Sequence, residues 1–243
     1  MELLENIAEY YDELFPTNDE LKKFYAEETK DFALPVKYLG ISCGAGTFEH
    51  FLAKGEADVT GLETIPSLLE SANRKRRTQL MALRFFQMSS LEMCRFLGKG
   101  FYNIISILNG RIIFTRDTSL MAKLFYDCKQ LLAPKGKLII SLPNFEKYNF
   151  DSTVKLPVRQ SIRVRLFSSI QTRNDGKKVL QQELETGNGK RICVTENAEI
   201  LPLNKNQIEQ YASSAGFTKF DYFGGFDKSE FTAKSDELVV VIS

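Results

Sequence analysis

The chain has no tryptophan, one histidine and almost no net charge, and the last two scarcities each remove a class of function. His50 is the single imidazole, so a Ser-His-Asp hydrolase would rest on that residue alone. Cys43, Cys94, Cys128 and Cys193 are too far apart for a zinc finger and too sparse for a disulfide scaffold. Dispersed cysteines of this kind predict a reducing, cytoplasmic setting. Lysine plus arginine number 32 against 31 aspartate plus glutamate, a net charge of +1. A nucleic-acid or anionic-membrane binder needs a basic surplus to displace counterions, so neither partner is expected. There is no apolar run of about 18 residues to span a bilayer. Met1-Glu2-Leu3-Leu4-Glu5 lacks the basic start and apolar centre of a signal peptide.

What is present is a 243-residue chain, 43% hydrophobic and rich in phenylalanine, long enough for a sizeable core. Leu3, Leu4, Ile7, Tyr11 and Leu14 recur at helical spacing up to Pro16. Thr17-Asn18-Asp19-Glu20 has the form of a capping box and opens a second helix through Leu21, Phe24 and Tyr25. From Pro35 strands and helices alternate. Strands are predicted at Val36 to Ile41, Asp58 to Leu62, Leu83 to Met88, Tyr102 to Leu108 and Lys137 to Leu142. Helices are predicted after Gly46, after Thr64 and after Asp117. Strand–helix units of this length mean an α/β protein with a parallel sheet covered on both faces.

After Asn144 the rhythm changes. Ile162 to Phe167 and Arg191 to Thr195 alternate apolar and polar residues, with hairpin turns at Asn174-Asp175-Gly176 and Thr186-Gly187-Asn188-Gly189. An antiparallel meander is therefore expected, followed by a helix capped by Asn204 and two closing strands. The division is one domain: a helical cap over 1–34, a core over 35–150 and 203–243, and a β insertion over 151–202. Arg74-Lys75-Arg76-Arg77 reads as a solvated helix face.

The segment that carries chemistry is Tyr38-Leu39-Gly40-Ile41-Ser42-Cys43-Gly44-Ala45-Gly46-Thr47, where a strand ends, glycines turn the chain and a helix begins. Seventeen residues beyond Gly46, at the end of the next strand, stands Glu63. One carboxylate there can accept both hydroxyls of a ribose, so the pattern predicts a nucleoside ligand. A dinucleotide fingerprint would need a third glycine where Glu49 stands, and a carboxylate there would repel a pyrophosphate. Cys43 reads as a packing residue and His50 as a helix-surface or core residue.

From this loop onward the order of elements resembles the class I S-adenosylmethionine-dependent methyltransferases. Gly44 and Gly46 match the last two glycines of that family's loop. Thr60-Gly61-Leu62-Glu63 matches its ribose-binding strand end, and Leu131-Leu132-Ala133-Pro134-Lys135-Gly136-Lys137-Leu138 its entry to the fifth strand. Tyr10-Tyr11-Asp12-Glu13-Leu14-Phe15 is similar to the lead-in helix of small-molecule members. The resemblance implies a Rossmann-like, doubly wound sheet of seven strands with the last antiparallel, N-terminal helices, and the β insertion as a lid. It implies S-adenosylmethionine as cofactor, contacted by Gly40, Ser42, Gly44, Gly46, Glu63, Ser89, Ser90 and Asn109. Three positions depart from the family: Gly40 replaces the loop's acid, Ser42 its first glycine, and Ser89 the acid that receives the adenine amino group. Losing two charge-assisted hydrogen bonds, each worth about 1.5–3 kcal/mol, would weaken cofactor binding by orders of magnitude unless something compensates.

The function implied is in-line methyl transfer to an N or O atom of a small molecule. No universal catalytic residue or metal is required, because the cofactor supplies the electrophile. Tyr11, Arg111 and Phe114 are candidate substrate contacts, with Tyr10, Phe15, Arg163 and Arg165 as further pocket candidates. The rival readings are a cofactor-binding or regulatory module of the same fold without turnover, and a protein or RNA methyltransferase. A helix-led chain with a protruding meander is also consistent with a homodimer.

Overall fold

The structure is a computed structural model and describes residues 5–76 and 82–243. In chain order the elements are α1 (Tyr11–Leu14), α2 (Asp19–Thr29), β1 (Lys37–Ile41), α3 (Thr47–Lys54), β2 (Asp58–Glu63) and α4 (Pro66–Arg76). Then come β3 (Leu83–Gln87), α5 (Met93–Phe96), β4 (Tyr102–Ile107), α6 (Thr118–Leu131) and β5 (Leu132–Pro143). The insertion holds β6 (Val154–Lys155), β7 (Arg159–Gln160), β8 (Val164–Thr172), β9 (Lys178–Thr186) and β10 (Arg191–Ile200). The chain closes with α7 (Lys205–Ser214), β11 (Phe220–Phe223) and β12 (Glu237–Ile242).

Strands β1, β2 and β4 and the Leu138–Leu142 stretch of β5 are buried on both faces, as a covered parallel sheet requires, whereas the edge strand β3 leaves Phe86 and Gln87 exposed. They form a seven-stranded sheet in the order β11-β12-β5-β4-β1-β2-β3. β12 runs antiparallel between β5 and β11, with Val240 opposite Ile140 and Tyr222. One apolar layer joins the sheet to α6 and α7 through Met121, Leu124, Phe125 and Ile208; the other joins it to α2 and α3 through Phe24, Tyr25 and Phe48. The switch from β1 to β4 around the sheet centre brings the loops after β1, β2 and β4 to one edge, where ligands bind in open α/β sheets.

The meander forms a second sheet in the order β10-β9-β8-β6, with β7 paired to β8. Val164, Leu166, Leu184 and Val194 on its apolar face bury Ile7, Tyr11 and Leu14 against Ala45, Ile65 and Leu68. The N-terminal segment is thus pinned between the insertion and the glycine loop.

Local chemistry explains most element ends. Asp117 accepts the N–H groups of Ser119 and Leu120 at the start of α6, and Asn204 with Gln207 closes a capping box on α7. Three expectations are corrected. The α2 cap is Asn18, accepting from Leu21 N at 2.9 Å, and not Thr17, which stands one residue too early. The helix expected over residues 3–14 is a single 3-10 turn at Glu5–Ile7 followed by the four-residue α1, and Leu3 and Leu4 lie outside the described residues. The strand expected at Lys137 to Leu142 begins at Leu132, with Ala133-Pro134-Lys135-Gly136 an irregularity inside β5 where pairing jumps from Tyr102–Leu132 to Ile104–Lys137. In the basic run, Arg74 pairs with Glu70 on the surface, whereas Lys75 turns inward to Asp12, Thr47 and the Ala45 carbonyl. Arg77 lies outside the described residues. Among the described residues no helix is long and apolar enough to cross a membrane, and no group of three or more His, Cys, Asp or Glu side chains is placed to hold a metal ion.

Candidate functional site

The loop after β1 winds tightly. Ser42, Gly44 and Gly46 all take left-handed backbone angles, with φ of 54°, 62° and 70°. Any side chain on Gly44 would overlap the ring of Tyr11, and one on Gly46 would overlap Phe85, so glycine is required at both positions for space as well as for φ. The Tyr11 ring therefore packs against the loop, held there by the meander.

Glu63, at the end of β2, is 1% exposed and closes the other side of the loop. Its Oε2 accepts from Gly44 N at 2.9 Å, and its Oε1 from Thr64 N at 2.7 Å and Ile65 N at 3.0 Å. Arg111, from the single 3-10 turn after β4, places Nη2 3.2 Å from each carboxylate oxygen. Three backbone N–H groups and a guanidinium fill the roughly four acceptor directions that a carboxylate offers. The Arg111 Nε is buried with no hydrogen-bond partner. The pair is buried on both sides, with side-chain exposures of 9% for Arg111 and 0% for Glu63.

Two cavities adjoin this centre. The first, ≈ 190 Å³, is lined by Gly40, Ser42, Glu49 and Ser106, and the second, ≈ 350 Å³, by Arg111, Phe114, Leu180, Gln182 and Asp236. Tyr11, Phe15, Asn109, Arg159 and Glu237 line both, so the two are chambers on either side of one partition. The second chamber is roofed by the meander through Leu166, Ser168, Leu180 and Gln182.

The structure thus gathers Gly40, Ser42 and Asn109 into one chamber wall and Tyr11, Arg111, Phe114 and Asn109 into the other. Gly44, Gly46 and Glu63 sit together but line neither chamber. Ser89 and Ser90 are half-buried after β3 and also line neither; the Ser89 hydroxyl accepts from Leu91 N at 3.3 Å. Of the further pocket candidates, Phe15 lines both chambers. Arg163 instead pairs with Glu9 and Glu13 and stacks near Tyr10, and Arg165 faces Glu185, so these three serve the surface. His50 is buried with Nε2 3.0 Å from the Ala72 carbonyl, and burial pushes its pKa down. Burial pushes the Cys43 thiol up, so it is no ready nucleophile.

Four groups escaped the sequence reading. Arg159 and Glu237 face each other at 3.6 Å on the partition, and Asp236 lies beside them. Glu49 was legible only as an obstacle to a pyrophosphate. Its place on the buried face of α3, between Phe48 and Leu52, was the available signal: an acid on an apolar face asks for a partner.

No protein-family profile and no curated protein matches the sequence. The backbone, in contrast, superposes on solved structures over its whole length. The CcbJ methyltransferase from Streptomyces caelestis matches with a TM-score of 0.78 at 14% identity, over 100% of this chain and 98% of that one. An S-adenosylmethionine-dependent methyltransferase from Clostridium acetobutylicum matches with 0.77 at 15% identity, over 98% and 97%. The chain has the fold of the S-adenosylmethionine-dependent methyltransferases. CalS10, an amino pentose methyltransferase from Micromonospora echinaspora solved with S-adenosylmethionine bound, shares the fold with a TM-score of 0.70 at 15% identity, over 97% and 96%. In this methyltransferase fold the seven-stranded sheet and its antiparallel last strand agree with the architecture expected from the sequence.

Proposed function

We propose that the protein is an S-adenosylmethionine-dependent methyltransferase acting on an N or O atom of a small molecule. The observation that carries this reading is the pair of adjoining chambers, one against the glycine loop and one beneath the meander. A group-transfer enzyme needs its donor and acceptor on opposite sides of a short gap, and Tyr11, Asn109 and Arg159 border both sides. The cofactor, when bound, supplies a methyl group on a sulfonium, so the chain's task is to align and to exclude water. The amino pentose methyltransferase that shares the fold makes an amine the acceptor class to test first; Asp236 and Glu237, which border the second chamber, are already paired with Lys147 and Arg159.

The residues fit this cofactor unequally. The first chamber offers a free carboxylate and hydroxyls to an aminoacyl group. The nucleoside end does not fit as it stands, because Arg111 and three backbone N–H groups take every acceptor direction of Glu63. Arg111 must leave Glu63 before two ribose hydroxyls can reach it. The same ion pair favours a second reading, a cofactor-binding or regulatory module without turnover.

Calorimetric titration with S-adenosylmethionine and S-adenosylhomocysteine separates the two. Micromolar binding with methyl transfer to an amine or hydroxyl acceptor is expected. Absence of heat at millimolar ligand overturns the first reading, and binding without transfer to any acceptor favours the second.

A further inference from the structure

Gly40 lies at the end of β1 with ordinary strand geometry, so its lack of a side chain is not demanded by the backbone. It is demanded by Glu49. A Cβ built on Gly40 would overlap the Glu49 carboxylate, which reaches across from α3 and occupies the space a side chain at position 40 would take. Glu49 is 5% exposed, and among the described residues only its own backbone N–H donates to it. It lines the first chamber beside Ser42, Ser106 and Asn109. A carboxylate buried without a partner is expensive, and one facing a cavity is matched by a cation that enters it.

The groups facing Glu49 from the surrounding elements are Tyr11 on α1, Tyr25 on α2, Cys43 in the loop, Glu63 at the end of β2 and Lys75 on α4. Lys75 is the one cation among them, and it is engaged by Asp12 and Thr47. Asp12, Arg159 and Glu237 line the same chamber, and Arg159 is turned toward Glu237. The chamber therefore holds an unanswered negative charge at Glu49.

We propose that Glu49 is the cation-binding residue of this chamber and takes the ammonium of an aminoacyl ligand, a role transferred from β1 to α3 by the glycine at position 40. This rests on the reading of the fold as a cofactor-binding methyltransferase, in which S-adenosylmethionine brings such an ammonium. Burial, then the charge of Glu63, raise the Glu49 pKa to about 7, so the carboxylate ionises across the neutral range.

The test is calorimetric titration of the full chain with two nucleosides: S-adenosylhomocysteine, which carries the ammonium, and 5′-methylthioadenosine, which lacks the aminoacyl group. At pH 8, Glu49→Gln is expected to weaken S-adenosylhomocysteine roughly 10- to 100-fold, the loss of one charge-assisted hydrogen bond, and to leave 5′-methylthioadenosine unchanged. Wild-type affinity for S-adenosylhomocysteine is expected to fall about tenfold from pH 8 to pH 6 as Glu49 takes up its proton, whereas Glu49→Gln gives a flat profile. The double variant Gly40→Asp/Glu49→Ala returns the acid to β1 and is expected to recover most of the lost affinity, which a merely structural role for Glu49 would not produce. Equal S-adenosylhomocysteine binding by wild type and Glu49→Gln, with 5′-methylthioadenosine also bound, overturns the assignment alone. Wild-type binding of neither nucleoside overturns both the assignment and the functional reading beneath it.

Discussion

The two ends of the site use the same chemical group in opposite ways. Glu63 and Glu49 are both buried glutamates beside the glycine loop. Glu63 is fully answered, by three backbone N–H groups and Arg111, and lines no chamber. Glu49 is unanswered and faces one. The difference comes from which segment packs against each carboxylate. The turn after β4 delivers a guanidinium to the first, whereas a glycine on β1 leaves space beside the second. A buried carboxylate with its counter-charge built in is structure, and one without is an invitation to a ligand.

The largest effect expected from disturbing this contrast is at the answered end. Arg111→Ala leaves a buried charge with only backbone donors and is expected to destabilise the protein by about 3–5 kcal/mol in urea denaturation. The same variant frees acceptor directions on Glu63, so adenosine-bearing ligands should recover more of its stability than of the wild type's. Unchanged stability would show that the pair is not a structural tie.

Next comes the unanswered end. Glu49 has its pKa raised from 4.5 to about 7 in the folded protein, so the unfolded chain ionises first. Native stability therefore falls as pH rises from about 4.5 to about 7 and stays lower above that range. The shift corresponds to on the order of 3 kcal/mol, which Glu49→Gln should restore at pH 8 and leave absent below pH 5. Identical pH slopes in urea melts of the two proteins would contradict this.

Smaller effects belong to the loop that joins the two ends. Gly44→Ala is expected to cost about 2 kcal/mol, from a left-handed backbone and from displacement of Tyr11, read as a drop in Tm. Lys75→Met removes a half-exposed tie to Asp12 and should cost under about 1 kcal/mol, vanishing at high salt. A cost as large as that at Arg111 would move the centre of the site's electrostatics to α4.

Much of the fold was readable because it is written in local periods. The apolar runs of β1, β2 and β4, the caps at Asp117 and Asn204, and the hairpin turns of the meander each depend on neighbours within a few residues. Where boundaries slipped, tertiary pairing overrode local signals: β4 recruits Leu132 into β5 ahead of the irregularity at Pro134, and the meander holds the N-terminal segment as short turns. At the site, Gly44, Gly46 and Glu63 could be placed side by side from their positions on successive strand ends. Their occupation could not, because Arg111 lies 48 residues from Glu63 along the chain.

The sequence by itself determined the α/β alternation, the glycine turn and an acid at the end of β2, since hydrophobic period and backbone sterics act over a few residues. Only the tertiary structure decided that this acid is taken, that Tyr11 covers the loop, and that the Glu49 carboxylate fills the space beside Gly40. A buried charge is defined by its partners, and those are brought within 3–4 Å by packing, whatever their distance in sequence.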